Sequence, residues 1–155
     1  MSFEIRPARD DDRVPLAVIF AAVAEERDGI ATEPPVDVEA RASSWTLEGT
    51  LVAVADGEVI GSIHVEKSRF GFGEIGMAIL REWRGRGVGS ALLEAAVEWA
   101  HDQGLHKLSL GVFPHNAAAI ALYRKYGFVE EGRRIKQYRR ASGELWDSID
   151  MGLLL

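Results

Sequence analysis

The 155-residue chain contains no cysteine. That excludes a disulfide framework and a thiol nucleophile. No apolar stretch reaches the roughly 20 residues a helix needs to cross a bilayer. The opening Met1-Ser2-Phe3-Glu4-Ile5-Arg6 lacks a signal-peptide apolar core. A cytoplasmic protein with no membrane partner is therefore expected. Positive charge is in short supply: 18 Lys and Arg stand against 24 Asp and Glu, a net charge of −6. This argues against a general nucleic-acid binder. It suits a cationic partner such as an amine, but only weakly, since moderate negative charge also serves solubility. No GxxxxGK[ST] sequence occurs, which disfavours a P-loop kinase or ATPase. Repeats, low-complexity tracts and linkers are missing too. What is present is an ordinary globular composition, 47% hydrophobic and 27% charged. The length supports one domain, residues 1–155, with a real core.

Phe3 to Arg6 alternates apolar and polar residues, as a half-buried strand does. Asp10-Asp11-Asp12 can cap a helix over about 14–27, and 36–45 reads as a second, shorter helix. Asp56-Gly57 between the β-rich runs 50–55 and 59–65 marks a hairpin. A turn at 68–73 leads to a strand over Glu74–Leu80. The next helix covers about 88–103: Val88, Leu92, Ala95, Ala96 and Trp99 keep the 3.6 period, and Gly104 ends it. Lys107–Phe113 is a strand. Asn116 can cap a helix that runs to Tyr126, with Gly127 as its stop. Phe128-Val129 starts another strand, and 136–154 reads as a strand pair around Ser142-Gly143. The pattern is a mixed-sheet α/β domain rather than a doubly wound parallel one.

Gly71-Phe72-Gly73-Glu74-Ile75-Gly76 matches the dinucleotide fingerprint, but a turn precedes it and a strand follows, the wrong context for an NAD site. Arg84-Gly85-Arg86-Gly87-Val88-Gly89-Ser90 has the right context for an anion: strand, glycine loop, helix start. Glycines let the backbone approach a ligand, and a helix N-terminus offers unpaired N–H groups to a phosphate. Arg84 and Arg86 can add charge-assisted bonds. Asn116 and Tyr123 lie seven residues apart, nearly two helical turns, so they face the same way about 10 Å apart. They can line one slot, or serve as an N-cap and a core tyrosine.

Together these segments resemble the GNAT superfamily of acetyl-CoA-dependent N-acetyltransferases. Arg84-x-x-Gly87-x-Gly89 is similar to its coenzyme-A pyrophosphate loop, and Asn116…Leu122-Tyr123…Gly127-Phe128 to its second coenzyme-binding segment. The clear match covers about residues 50–130. The resemblance implies a mixed, mostly antiparallel sheet with about four flanking helices. Its two parallel strands, here Glu74–Leu80 and Lys107–Phe113, would splay like a V around the pantetheine arm of acetyl-CoA. Backbone groups of Met77 and Ile79, with Ala78 between them, would pair with the arm. N–H groups of Gly85, Arg86, Gly87, Val88, Gly89 and Ser90 would hold the pyrophosphate. Asn116 would bond the pantetheine. Tyr123 would lie near the sulfur and donate a hydrogen bond or proton to it.

The implied reaction is direct attack of an amine on the thioester through a tetrahedral oxyanion, stabilised by the N–H of Met77 or Ile79. It needs no metal and no covalent enzyme intermediate. A phenol of pKa about 10 against a thiol of about 8.5 makes full proton transfer uphill but modest. In some members a glutamate five residues before the motif asparagine removes the amine proton; here that position is Gly111. Others use a glutamate at the start of the first V strand, which is Glu74 here, ranked first and acting through a water chain. His64 and His115 are weaker candidates, and direct proton loss to solvent is a further route. The acceptor would contact Glu25, Glu26, Arg27, Glu33 and Trp45 on one side and Tyr138, Arg139 and Arg140 on the other. The tail from Gly143 resembles small-molecule members, close to amino-acid or phosphinothricin acetyltransferases. The expected substrate is thus a small amine, with a protein or peptide N-terminus and a non-catalytic acetyl-CoA sensor as alternatives. A homodimer is an open option for its assembly.

Overall fold

The alternating pattern at the start of the chain becomes β1 (Glu4–Pro7), and the Asp10–Asp12 run becomes a single 3-10 turn ahead of α1 (Arg13–Glu25). This is seen in a computed structural model that describes residues 2–155. Pro15 falls in the first turn of α1, where its missing N–H breaks no helical bond. Asp12 ties the two elements together. It accepts a bidentate pair from Arg6 at 2.7 and 3.0 Å and the Arg9 N–H at 2.7 Å. The Arg6 hydrogen bonds hold its carboxyl below the usual carboxylate range.

The remaining elements are α2 (Val38–Ser44), β2 (Thr50–Ala55), β3 (Glu58–Lys67), β4 (Phe72–Ile79), α3 (Val88–Asp102), β5 (Lys107–Val112), α4 (Ala117–Lys125), β6 (Val129–Arg139) and β7 (Leu145–Leu154). Seven strands make one sheet in the order β1-β2-β3-β4-β5-β7-β6. Every pairing is antiparallel except β4 with β5. The mixed sheet with four helices matches the expectation from sequence. Among the described residues no helix is long and apolar enough to cross a membrane.

The sheet is covered on both faces. Leu92, Leu93, Ala96 and Ala100 of α3 join Ile63, Val65 and Leu108 in the larger core, while Leu16 of α1 meets Val52 and Val54. β2 therefore sends alternate side chains into two different cores and is buried throughout.

Two boundaries differ from the sequence reading in ways that matter. β4 begins at Phe72, inside the expected turn. The strand opening at residue 128 and the first strand of the expected pair are one strand, β6. Nearly all its residues are exposed, so it has no apolar alternation to read. It bends at Lys136, where φ is +53° and the backbone N–H donates to an Asp147 carboxylate oxygen at 2.8 Å.

The feature that positions the site is the partial pairing of β4 and β5. They are in register only over Phe72–Glu74 and Lys107–Ser109. β5 stays paired with β7 up to Val112 and Ile149. Beyond Glu74 the two parallel strands have parted.

Candidate active site

The parting leaves one edge of β4 without a neighbour. The Leu80 N–H donates to the Ile60 carbonyl at 3.0 Å, so the polar groups of Leu80 point toward β3. Alternation then turns Ala78 and Gly76 toward β3, and Ile79, Met77 and Ile75 the other way. β5 is not there to pair with them. The N–H groups of Met77 and Ile79 thus face a gap, as expected of a strand that takes up an extended ligand. Ala78 lines the gap while its backbone pairs with β3 opposite Ser62.

A cavity of about 690 Å³ fills the gap. One end lies against the glycine loop. Gly85 and Gly87 have φ of +73° and +86°, and Gly87 is the left-handed N-cap of α3. A Cβ at either would meet nothing within 4 Å. Their requirement for glycine is one of backbone conformation, not crowding. Gly89 differs: its Cβ would stand 3.0 Å from Leu122 Cδ2, so this glycine serves close approach of α3 and α4. Ser90 also lines the cavity. The Val88 side chain is buried in the core, leaving only its N–H for a ligand.

Arg84 places both terminal nitrogens on the Glu26 carboxylate at 2.7 Å each, and donates from Nε and Nη2 to the Ile79 carbonyl at 3.0 and 2.9 Å. These bonds hold the Glu26 carboxyl below its usual range. Arg84 lines the cavity and also staples the end of α1 to the loop. Arg86 lies with its guanidinium 5.1 Å from the Trp83 ring centre and is not among the lining residues.

Asn116 and Tyr123 do share the cavity. Asn116 Oδ1 caps α4 by accepting the Ala119 N–H at 3.3 Å, which leaves its side-chain NH₂ to donate. The slot and the cap are therefore the same residue acting through different atoms. Tyr123 is 8% exposed and packs on Phe128. Burial pushes its phenol up to about 12. A proton transfer that looked modest from sequence becomes uphill by roughly 5 kcal/mol against a thiol of pKa about 8.5. Burial therefore favours the protonated phenol, an O–H that can donate.

The far end of the cavity lies on the other sheet face. Leu108, Leu110 and Val112 enter the α3 core, so alternation turns Gly111 and Phe113 away from it. Residues 28–31, Tyr138 and Ser148 complete this end. His115 stacks on Phe113, and its Nε2 lies 2.7 Å from the Asp28 carbonyl. A carbonyl only accepts, so Nε2 carries a proton. Arg140 is buried and donates to the carbonyls of Ala31 and Arg27 at 2.9 and 3.2 Å, with its guanidinium 4.4 Å from the Trp146 ring centre. It shapes the 28–31 segment rather than touching the cavity. Of the other expected acceptor contacts, Glu26 and Tyr138 line the cavity, whereas Glu25, Arg27, Glu33, Trp45 and Arg139 do not. Trp45 instead packs edge-on to Phe20.

Of the three candidate bases, His115 lines the cavity, and Glu74 and His64 do not. Glu74 is exposed and outside the lining residues, although Ile75 and Gly76 belong to them. It shares a face with Gly76, about 7 Å along the strand, so water must connect it to the cavity. His64 bonds Thr50 Oγ1 at 2.7 Å and also lies outside. Burial pulls its imidazole below the ordinary range.

The comparisons with known proteins agree with this geometry. Residues 18–128 match the model of the acetyltransferase (GNAT) family. The chain is 35% identical over 106 residues to the L-amino acid N-acetyltransferase AaaT of Escherichia coli, an alignment that spans 65% of each protein. It is 32% identical over 145 residues to an L-methionine sulfoximine/L-methionine sulfone acetyltransferase of Pseudomonas paraeruginosa, covering 86% of this chain and 84% of that one. The crystal structure of a ribosomal-protein-alanine N-acetyltransferase from Brucella melitensis superposes with a TM-score of 0.89 at 30% identity, over 98% of this chain and 99% of that one.

Proposed function

The chain belongs to the acetyltransferase (GNAT) family, and from that premise we propose that it acetylates the primary amine of an amino acid or related small compound, with acetyl-CoA as donor. The observation that carries this reading is the bare β4 edge at Met77 and Ile79, continuous through one cavity with the glycine loop and Tyr123. Strand-like pairing on that edge, a backbone cradle at a helix N-terminus and a buried phenol fit an extended ligand with a pyrophosphate at one end and a thioester at the other. Acetyl-CoA supplies the activated acetyl group.

This chain's residues do the rest. N–H groups of the 85–90 loop hold the pyrophosphate, and the Asn116 NH₂ and the backbone of Met77 and Ile79 align the arm. The N–H of Met77 or Ile79 stabilises charge that develops on the carbonyl oxygen. The amine nitrogen bonds to the acetyl carbon to give a tetrahedral oxyanion, whose collapse breaks the carbon–sulfur bond and releases the thiolate. Tyr123 donates a hydrogen bond to the departing sulfur. The amine's proton leaves through water to Glu74. The proposal takes residues 1–155 as one domain in the cytoplasm, with no nucleic-acid or membrane partner.

A thiol-release screen of amino acids, polyamines, aminoglycosides and N-terminal peptides tests the substrate class. Amino acids and their sulfoximines are expected to exceed peptides by about tenfold in kcat/KM. The reverse order selects the second reading, a peptide N-terminal acetyltransferase, which the likeness to the Brucella melitensis enzyme supports. Strong acetyl-CoA binding without thiol release would make the chain a sensor.

Glu74→Gln is expected to lower kcat/KM about tenfold at neutral pH and to displace the acid limb of the pH–rate profile. An unaltered profile moves the base role to His115, which lines the cavity.

A further inference from the structure

Gly85 and Gly87 hold the loop after β4 in left-handed conformations, and nothing lies within 4 Å of a Cβ added at either. Glycine is permissive, and packing does not hold these two residues, so another contact must set where the loop sits. Arg84, the residue before them, makes that contact. Its guanidinium reaches back around the Arg81–Trp83 turn to the carbonyl of Ile79, with Nε at 3.0 Å and Nη2 at 2.9 Å. Ile79 is the last residue of β4 and belongs to its bare edge. One side chain thus ties the edge to the loop. A guanidinium beside a phosphate cradle has a competing use, because a phosphate is a strong acceptor. Glu26 opposes it. This residue ends α1, 58 positions earlier in the chain. Its two carboxylate oxygens accept from Nη1 and Nη2 at 2.7 Å each. The paired bonds fix the plane of the guanidinium against Ile79. Both Glu26 and Arg84 line the cavity.

We propose that Glu26 is a positioning residue which, through Arg84, fixes the spacing between the bare β4 edge and the glycine loop. The inference rests on the acetyltransferase reading and deepens it. On that reading the arm of acetyl-CoA pairs with the edge and its pyrophosphate sits in the loop. The two contacts reinforce each other only when their separation matches the ligand. Glu26 acts on neither contact directly. It keeps the guanidinium on the Ile79 carbonyl, and the loop stays where the arm ends.

The test compares Glu26→Gln, Arg84→Lys and the double variant. Coenzyme A is titrated calorimetrically, and kcat/KM is measured with acetyl-CoA and with acetyl-pantetheine, which has the arm and thioester but no pyrophosphate. Glu26→Gln is expected to raise the coenzyme A Kd about tenfold and to lower kcat/KM with acetyl-CoA by a similar factor. With acetyl-pantetheine kcat/KM should stay within about twofold of the parent, because that donor does not need the spacing. Arg84→Lys keeps the charge but loses the planar fork, and the same pattern is expected. The double variant should be no worse than either single one, since both act through one contact. Losses that add in the double variant, or an equal fall with both donors, reduce the pair to a fold contact and overturn the inference. A Glu26→Gln protein that binds coenzyme A as tightly as the parent, or more tightly, also overturns it, because Arg84 then finds its place without the carboxylate. In each of these cases the acetyltransferase reading stands if the parent releases thiol from acetyl-CoA. A parent that binds no coenzyme A removes that reading itself.

Discussion

Tyr123→Phe is expected to lower kcat about 50-fold while leaving acetyl-CoA affinity within about twofold. The substitution removes one oxygen from a ring that stays packed on Phe128, so the cavity wall keeps its shape. The lost hydrogen bond goes to a sulfur that gains charge only as the carbon–sulfur bond breaks, which places the loss in kcat rather than in binding. A phenol at about 12 does not titrate across any practical assay range, so the parent's pH–rate profile should show no alkaline limb that the variant lacks. Alkaline stability gives a second readout. The folded phenol titrates above its ordinary value of about 10, so it stabilises the fold below that pH, and this contribution is lost as pH rises toward 12. Over that window the parent should lose roughly 2–3 kcal/mol relative to Tyr123→Phe in denaturant unfolding. An equal kcat in the two proteins would remove Tyr123 from the leaving-group role.

Gly87→Val is expected to raise the acetyl-CoA Kd about 100-fold in calorimetric titration. The reason is the +86° φ at this N-cap, which a β-branched residue avoids at a cost of several kcal/mol. Space is not the obstacle, because nothing lies within 4 Å of the added Cβ. The loop must instead relax toward negative φ, and the N–H groups of residues 85–90 then no longer converge. Thermal unfolding should move little, since α3 keeps its buried face. An unchanged Kd would mean that the loop is only a connection.

The fold was legible where one periodicity dominates. The 3.6 repeat of α3, the Asp56-Gly57 hairpin and the Asn116 cap were all readable from neighbours in sequence. β6 was not, because its polar side chains on both faces carry no period and its partner lies beyond a loop. The site was legible in its backbone-dependent half. Glycines at 85 and 87 and the asparagine at 116 announce local geometry. The other half depends on distant pairs: Arg84 with Glu26, His115 with the Asp28 carbonyl, Arg140 with residues 27–31. A motif arginine reads as a phosphate ligand, and the carboxylate it also holds is seen only in the fold. Glu74 was assigned from its place in a motif, while the pleat decides whether it reaches the cavity.

The order of the strands has a consequence for how the protein comes into being on the ribosome. β7 follows the six other described strands in sequence, yet it is inserted between β5 and β6. Until it arrives, β5 has a bare edge and β6 has no neighbour at all. The coenzyme motifs at 84–90 and 116–123 can therefore fold while the far end of the cavity is still absent. A chain cut before Leu145 would retain both coenzyme motifs and lack the strand that joins β5 to β6, so the insertion of one strand completes the sheet and the far wall of the cavity together.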